Sequence, residues 1–326
     1  GLAYPVDYGG SGLGVLVQCV VREEFGKSSD ALRIACTQGP NKMLLAGTEE
    51  QKERYLAPAI RGERLMAFAV TEPEAGSDAA SIRTRAEAKN EGFILNGRKQ
   101  FVTNGPIADA VIVFAVTDPE KRARGGITAF IVDRGTPGFS VGQVHKKLGW
   151  RGSPTSELLF EQCRVPNEQI LGEIGQGFSI LMRFLDEQRL AVGAGCVGTA
   201  DRLISMARDY ARERQTFGKP IADRQAIQFM LADSAIEIHA GRLMVYDGAR
   251  RMDGGERVTR EAAIAKVFCS EMAGCVADRT LQIFGGMGYM KEMPVELMYR
   301  DLRNHRIAEG TSEILRLVIA RDVLKS

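Results

Sequence analysis

The sequence predicts an α+β protein with an N-terminal helical segment, a central antiparallel β-barrel-like domain and a C-terminal four-helix bundle. Three observations support this fold class. Apolar residues recur at three- and four-residue spacing up to residue 64 and again after Gly177, as in amphipathic helices. From residue 66 to 166 the apolar runs are short and separated by Gly, Asn and Pro, as in strands. No helical pattern interrupts these strands, so their pairing should be mostly antiparallel.

The expected boundaries divide the 326 residues into three parts. Residues 1–65 are a partial N-terminal helical domain, with helical periodicity in "GVLVQCVVREEFGK" and "GTEEQKERYLAPAIRGE". Residues 66–172 are the β-domain, with strands in "GFILNGRKQFVTNG", "ADAVIVFAVTD", "ITAFIVD" and "FSVGQV". Residues 173–326 are the helical bundle.

Four long helices are expected in the bundle. They begin at "FSILMRF", "RQAIQFM", "TREAAIA" and "TSEILRL". The third should have Thr259 as its N-cap and should end at Gly285 and Gly286. Ala, Gly and Ser on the second and third helices allow close packing, for which a four-helix bundle is the economical arrangement.

Composition excludes several function classes. Lys plus Arg number 43 against 41 Asp plus Glu, which gives no support for nucleic-acid or membrane-surface binding. No apolar run is long enough to span a bilayer, and "GLAYPVDYGG" lacks the pattern of a signal peptide. The six cysteines form no CxxC pair, which favours free thiols in the cytoplasm, or in the mitochondrial matrix of a eukaryote. The three histidines lie far apart, so no metal site is expected.

Two strand ends are candidate ligand sites. In "AFAVTEPEAGSD" a strand ends at Thr71 and a turn of small residues follows, whose N–H groups and hydroxyls suit a phosphate or a ring heteroatom. In "QFVTNG", Phe101 and Thr103 suit stacking and hydrogen bonding to a flat heterocycle. The alternatives are an ordinary strand-end turn and a core aromatic residue.

Two further segments have a similar ambiguity. In "RERQTFGKPI", Arg214 and Thr216 are either phosphate ligands or part of a solvated basic loop. In "QIFGGMGY", three glycines either cap a helix or allow a ligand to approach the backbone. Neither this segment nor "GGSGLG" has the G-x-G-x-x-G spacing of a dinucleotide-binding turn.

Together the motifs resemble those of one family. "TEPEAGSD", "FVTNG", "ERQTFGKPI", "QIFGGMGY" and "AEGTS", in this order around an α–β–α pattern, are similar to the motifs of the acyl-CoA dehydrogenase family of flavoproteins. The resemblance runs from "YGGSGLG" to the C-terminus and implies FAD, held without a covalent bond. It also implies α,β-dehydrogenation of an acyl-CoA to the trans-2-enoyl-CoA, an electron-transfer flavoprotein as electron acceptor, and a homo-oligomer, with a tetramer expected.

The resemblance implies three groups of FAD-binding positions. The first lines the flavin from the two strand ends: Phe68, Val70, Thr71, Gly76, Ser77, Phe101, Val102 and Thr103. The second reaches the FAD of a neighbouring subunit: Arg214, Gln215, Thr216, Gln225, Gln282, Ile283, Phe284, Gly285 and Gly286. The third closes over the adenine-side phosphates, where a helix N-terminus suits an anion: Thr311, Ser312 and Glu313.

Glu309 in "RIAEGTSEI" matches the catalytic base of the family. It would remove the α-proton while the β-hydrogen leaves as hydride to flavin N5. A nearby helix N-terminus favours the carboxylate, whereas desolvation raises its pKa toward the value that proton abstraction needs. The implied substrate-contacting positions are Ser77, Asp186, Arg189 and Gly310, although a salt-bridged helix face is the alternative for Asp186 and Arg189.

Some members carry the base on a bundle helix, where this sequence has "LDEQR". The equivalent position is Gln188, which cannot abstract a proton, and Glu187 points about 100° away around a helix. Glu309 is therefore favoured. Ala308 stands where many relatives have Tyr, which favours a branched or bulky acyl group. Family members have further helices before "YGGSGLG", so part of the substrate cavity is not defined by this sequence.

Two other functions remain open at this point. An acyl-CoA oxidase, or another flavoenzyme on the same scaffold, would pass the electrons to O₂. An inactive relative would serve only as an assembly partner, but the presence of Glu309 and of the flavin positions argues against that role.

Overall fold

The computed structural model describes residues 1–28 and 41–325. By their contacts these residues form two compact units. The first contains residues 1–12, 41–147 and 151–184, and the second contains residues 13–28, 148–150 and 185–325. The division into three domains at residues 65 and 172 stays a prediction.

Apart from the short helix at Pro294–Leu302, the helices occur where the apolar periodicity predicts them. In chain order they are α1 (Val15–Gly26), α2 (residues 49–60, with a π-helical turn at Lys52–Leu56), α3 (Gly177–Glu213), α4 (Gln225–Asp253), α5 (Thr259–Phe284), α6 (Pro294–Leu302) and α7 (Ser312–Val323). The four predicted bundle helices correspond to α3, α4, α5 and α7, whereas α6 was not anticipated. The structure contains no helix, among the residues it describes, that is long and apolar enough to cross a membrane.

The first unit is built around one sheet of eight strands. The strands are β1 (Met66–Ala69), β2 (Arg85–Lys89), β3 (Gly92–Thr103), β4 (Ala110–Val116), β5 (Ile127–Asp133), β6 (Phe139–Val144), β7 (Thr155–Pro166) and β8 (Ile170–Leu171). A separate two-stranded hairpin, β9 (Gln215–Thr216) with β10 (Lys219–Pro220), lies between α3 and α4.

The sheet has the order β6-β7-β3-β2-β4-β5-β8, with β1 beside β4. Its pairings are antiparallel except that β1 and β2 each run parallel to β4, so the mainly antiparallel expectation is confirmed. Closure into a barrel is not shown, because no ladder joins β6 to β8 within the described residues. Strands β4 and β5 are buried almost throughout, which explains why their sequences are continuous apolar runs.

The second unit contains the bundle helices, with α1 packed against them. Small residues allow this close approach. A Cβ atom on Gly198 of α3 would lie only 1.8 Å from the carbonyl oxygen of Glu23 on α1. The core consists largely of buried Ala, Val, Leu and Cys from α1, α3, α4, α5 and α6. Any larger residue at position 198 would therefore force α1 away from α3.

The predicted N-cap of the third bundle helix is wrong. Helix α5 begins at Thr259 itself, and Val258 occupies the cap position without a side-chain hydrogen bond. The Thr259 hydroxyl instead donates to Oδ2 of Asp186 at 2.6 Å. The predicted end of the helix is confirmed, because Gly285 follows Phe284 with a φ of 58°.

Candidate active site

Glu309 lies in a tight turn immediately before helix α7. Its φ is 58° and that of Gly310 is 96°, so two consecutive residues adopt left-handed backbone conformations. Such a φ is uncommon for glutamate, and it persists only where the surroundings hold the backbone in place. Helix α7 begins directly afterwards, and Oγ1 of its N-cap Thr311 accepts a hydrogen bond from Ile314 N at 3.3 Å.

Two buried cations hold the carbonyl groups of this turn. Arg189 of α3 donates from Nε to the Glu309 carbonyl oxygen at 3.4 Å. Lys266 of α5 donates from Nζ to the Gly310 carbonyl oxygen at 2.6 Å. Arg189 is 6% exposed and Lys266 is 0% exposed, so both cations are removed from water. The turn is thus fixed from two different helices.

Asp186 completes this polar network. Its Oδ1 accepts from Arg189 Nη1 at 2.8 Å, and its Oδ2 accepts from the Thr259 hydroxyl at 2.6 Å. Both carboxylate oxygens therefore already have partners within the protein. This is the salt-bridged arrangement that the sequence left open for Asp186 and Arg189, and contact of either residue with the substrate stays a prediction.

The electrostatics of Glu309 reflect opposing effects. Burial raises the pKa of its carboxyl group above the ordinary value of 4.5, and the positive charges of Arg189, Lys266 and Arg22 partly offset this rise. Burial also lowers the pKa of Lys266 to about 8, against the opposing influence of Cys196 and Glu309. The Glu309 carboxylate is thus a stronger base than an ordinary glutamate, and three positively charged side chains stabilise its ionised form.

The first unit carries a second group of candidate residues at the end of β1. The carbonyl oxygen of Val70 accepts from Lys99 Nζ at 3.0 Å, and that of Thr71 accepts from Gln100 N at 2.8 Å. Lys99 also donates to Glu72 Oε1 at 2.7 Å. Backbone hydrogen bonds between Glu72 and Ala75 then close the turn that follows. Hydrogen bonds from Lys99 and Gln100 of β3 therefore fix the end of β1.

Glu72 anchors this strand end because its carboxylate is fully engaged. It accepts from Thr84 Oγ1 at 2.6 Å and from Thr84 N at 2.9 Å, in addition to Lys99 and the Arg83 N–H. Burial alone would raise the pKa of Glu72, but Lys99 and these donors outweigh it, so the pKa lies below its ordinary value. The Glu72 carboxylate therefore stays ionised although it is buried.

Phe101 projects from the end of β3. The pairing of β3 with β7 shifts register between Lys99 and Val102, which marks a bulge, and Phe101 has a φ of 57°. Its side chain is 60% exposed, and its ring lies 5.2 Å from that of His145. By contrast, Val102 is buried in the core of the unit, and Thr103 is half-buried.

The other predicted positions differ in accessibility. Gly76, Ser77, Arg214, Gln215, Gln225, Gln282, Gly285, Gly286 and Glu313 are exposed, whereas Phe68, Val70, Thr71, Thr216, Gly310 and Thr311 are half-buried. Ile283, Phe284 and Ser312 are buried. The ring of Phe284 stacks on Tyr210 at 4.3 Å, and Ile283 packs against buried Ala207 and Ala211. Any ligand contact by Ile283 or Phe284 would therefore involve the backbone.

Sequence reasoning missed Glu72, Lys99 and Lys266 as site residues. A signal existed for both lysines. Along β3, Lys99 has the same parity as the buried Leu95, which places it on the inward side of an alternating strand. Along α5, Lys266 occurs at helical spacing from the buried Ala262 and Cys269. A charged residue on an apolar face indicates a buried partner.

Several features at the strand ends of the first unit have the chemistry that suits a flat ligand. Phe101 offers an exposed aromatic surface beside the half-buried hydroxyl of Thr103. The Nε2 atom of His145, next to Phe101, is buried and has no hydrogen-bond partner among the described residues. An exposed ring beside an unsatisfied polar atom fits a flat heterocycle that carries heteroatoms.

Comparison with known proteins identifies the family. Sequence models of the acyl-CoA dehydrogenase N-terminal, middle and C-terminal domains match residues 1–63, 67–163 and 175–324. The chain is 45% identical to the acryloyl-CoA reductase (NADH) of Anaerotignum propionicum, covering 100% of this chain and 84% of the relative. It is 43% identical to the caffeyl-CoA reductase-Etf complex subunit CarC of Acetobacterium woodii, covering 100% and 86%.

Among solved structures, butyryl-CoA dehydrogenase from Megasphaera elsdenii superposes with a TM-score of 0.94 at 41% identity. The match covers 99% of this chain and 86% of that one. The domain models, the relatives and the fold all agree with the family that the sequence motifs resemble. The chain therefore belongs to the acyl-CoA dehydrogenase family and is an FAD-dependent oxidoreductase.

Proposed function

We propose that this protein converts an acyl-CoA thioester to the trans-2-enoyl-CoA, with Glu309 removing the α-proton. One observation carries the proposal. Glu309 is half-buried, and its carboxylate lies in the electrostatic field of Arg22, Arg189 and Lys266, which belong to three different helices. A surface glutamate needs no such surroundings, whereas a general base must be ionised, oriented and shielded from water.

The surroundings of Glu309 balance basicity against ionisation. Burial raises the pKa of the carboxyl group, which strengthens it as a base, while the three cations partly offset that rise and favour the ionised form. The backbone N–H of Glu309 has no acceptor among the described residues, so it is free to donate to a thioester oxygen as enolate charge develops there. The β-hydrogen would leave as a hydride to bound FAD.

We infer that FAD is held, without a covalent bond, by the positions that the motifs identify. The fixed strand end at Val70 and Thr71, together with Phe101 and Thr103, would contact the ring system. The N-terminus of α7 from Thr311 would face phosphate, because helix N-termini favour anions. The exposed Arg214 and Gln282 would reach the FAD of a neighbouring subunit.

The acyl group is proposed to be branched or bulky. Ala308, directly before the base, is half-buried and small. A larger residue there would occupy space beside the carboxylate, so alanine leaves room for an acyl substituent. Ser77, which is exposed, and the Gly310 backbone are the other proposed substrate contacts.

The same residues also support the reverse reaction. A protonated Glu309 could return a proton to the α-carbon of an enoyl-CoA, and the raised pKa of the carboxyl group favours that role as well as the forward one. Two relatives are named as reductases of acryloyl-CoA and of caffeyl-CoA. Reduction of an enoyl-CoA is therefore the second candidate activity of the same site.

Two protein partners are proposed. An electron-transfer flavoprotein is the proposed redox partner, because a relative at 43% identity is named as a subunit of an Etf complex. A second copy of this chain is the other partner. Phe229, Ile236 and Leu243 recur every seven residues on α4 and are 59%, 67% and 56% exposed, so they form an apolar stripe suited to helix packing.

The test is anaerobic mixing of the FAD-loaded protein with a panel of linear and branched acyl-CoAs. The proposal predicts loss of the oxidised flavin absorbance with at least one of them, and reoxidation by an electron-transfer flavoprotein much faster than by O₂. Flavin that stays oxidised with every acyl-CoA, and stays reduced with every enoyl-CoA after chemical reduction, would exclude both candidate activities.

A further inference from the structure

Lys266 is a lysine without exposed surface in the interior of the helical bundle. It lies on α5 between Ala262 and Cys269, which are also fully buried. An ammonium group in such a place is stable only when it has partners that replace water. The partner that the structure gives it is the carbonyl oxygen of Gly310, which accepts from Nζ at 2.6 Å.

This contact is adjacent to a second one of the same kind. Arg189 of α3 donates to the carbonyl oxygen of Glu309, the residue just before Gly310. Both residues of the turn have positive φ values, 58° and 96°, which an isolated loop would rarely hold together. Two consecutive peptide groups are thus fixed by cations from two helices, which restricts the direction of the Glu309 side chain.

The charges around Lys266 connect it to the same carboxylate. The groups that face Lys266 are Cys196 and Arg189 from α3, Glu309 from the turn and Glu313 from α7. Those that face Glu309 are Arg189, Lys266 and Arg22. The positive charge of Lys266 therefore acts on Glu309, and its hydrogen bond holds the carbonyl group of Gly310.

We propose that Lys266 is a positioning residue for the reaction. It fixes the peptide group that follows Gly310, so that the turn keeps the Glu309 carboxylate in one orientation, and its charge favours the ionised form of that carboxylate. Lys266 exchanges no proton with the substrate and acts only through Glu309. The inference rests on the proposed role of Glu309 as the base.

Three substitutions separate the hydrogen bond from the charge. Lys266→Met removes both, Lys266→Gln keeps a donor for the Gly310 carbonyl group without the charge, and Lys266→Arg keeps the charge. Lys291→Met, at an exposed lysine, is the control for removal of a positive charge elsewhere. Glu309→Gln tests the proposed function itself in the same experiments.

The FAD-loaded variants are compared by FAD content, acyl-CoA affinity and the pH profile of the flavin-reduction rate. The protonated carboxyl band of Glu309 is followed separately by infrared difference spectroscopy and is identified by its absence in Glu309→Gln. We expect Lys266→Met to keep FAD and acyl-CoA affinity but to lose about 10- to 100-fold in rate through misplacement of the base. This loss should be on the order of tenfold greater at acid pH than at alkaline pH, and the infrared titration should move to higher pH.

Lys266→Gln should show the same shift of the infrared titration with a smaller loss of rate at alkaline pH, and Lys266→Arg should titrate as the wild type does. If Lys266→Met and Lys266→Gln titrate like the wild type while Glu309→Gln is inactive, the role of Lys266 is refuted and that of Glu309 stands. If Glu309→Gln reduces flavin normally, the proposed function itself fails. If the neutral variants do not fold, a shifted titration in folded Lys266→Arg overturns the inference, and an unshifted one supports it.

Discussion

Lys99 Nζ lies 2.7 Å from Glu72 Oε1, although the two side chains are only 0% and 3% exposed. Lys99 also holds the Val70 carbonyl oxygen at 3.0 Å, so the pair fixes the end of β1 where the flavin is proposed to bind. A buried pair is weak evidence for stability, because desolvation offsets the attraction. Its position suggests instead that it determines the geometry of the strand end.

Lys99→Met should weaken FAD binding and destabilise the fold. Removing one member of a buried pair leaves the Glu72 carboxylate without its counter-charge, which costs about 3–5 kcal/mol. Chemical denaturation measures the free energy of unfolding, and flavin fluorescence after dilution measures FAD retention. The double variant Lys99→Met/Glu72→Gln should recover part of the stability but not the FAD affinity, because the Val70 carbonyl group still lacks its donor.

The control for this prediction is Lys89→Met, at an exposed lysine on β2. It should change neither quantity. If Lys99→Met binds FAD with wild-type affinity, the Lys99–Glu72 pair contributes only to the stability of the first unit and not to FAD binding.

Glu309→Gln should stabilise the protein at neutral pH. Burial raises the pKa of Glu309 in the folded state above the ordinary 4.5, so ionisation of this group lowers the free energy of unfolding. The favourable contribution of the protonated group is complete below its unfolded pKa and is lost as pH rises through the folded pKa. The gain from Glu309→Gln should therefore be greatest near neutral pH and should vanish in acid.

Thermal denaturation across this pH range measures the effect. The exposed Glu292→Gln is the control and should leave the melting temperature unchanged at every pH. A melting temperature of Glu309→Gln below that of the wild type at neutral pH would mean that the three cations outweigh burial, contrary to the stated direction of the pKa shift.

Ile236→Arg should dissociate the proposed oligomer. Ile236 is the most exposed residue of the apolar stripe on α4, at 67%, and an arginine there would place unpaired charge in a helix interface. Light scattering coupled to size exclusion should show a smaller particle with unchanged helical content. Ile174→Arg, at an apolar residue that is 60% exposed outside the stripe, should leave the particle mass unchanged. If Ile236→Arg leaves the particle mass unaltered, the apolar stripe on α4 does not mediate assembly.

The periodicity of the sequence identified the long helices and most strands, because burial of one face is a local property of the pattern. It could not identify the direction of pairing between β1 and β4, because each strand reads the same in a parallel or an antiparallel ladder. The N-cap prediction at Thr259 failed for a similar reason. Its hydroxyl is engaged by Asp186, which is 73 residues away in the sequence.

The motifs led to Glu309, but its environment could not be read from them. Arg189 is 120 residues away along the chain and Lys266 is separated from Gly310 by 44 residues, so these contacts exist only in the folded chain. The sequence pattern does show Lys266 on the buried face of α5, and it therefore indicates a buried charge. The identity of its partner depends on how α5 packs against the Glu309 turn.

The central claim is that Glu309 is the base, and single-turnover flavin reduction tests it most directly. FAD-loaded Glu309→Gln and Gln188→Ala are each mixed anaerobically with the best acyl-CoA, and substrate affinity is measured in parallel. A glutamine in place of Glu309 would keep the shape of the side chain and the backbone N–H but lose the basic oxygen. The account predicts that Glu309→Gln loses flavin reduction by at least about 10²-fold with nearly unchanged acyl-CoA affinity, whereas Gln188→Ala reduces flavin at close to the wild-type rate. Near wild-type reduction by Glu309→Gln would contradict the account and make Glu187 the next candidate for the base.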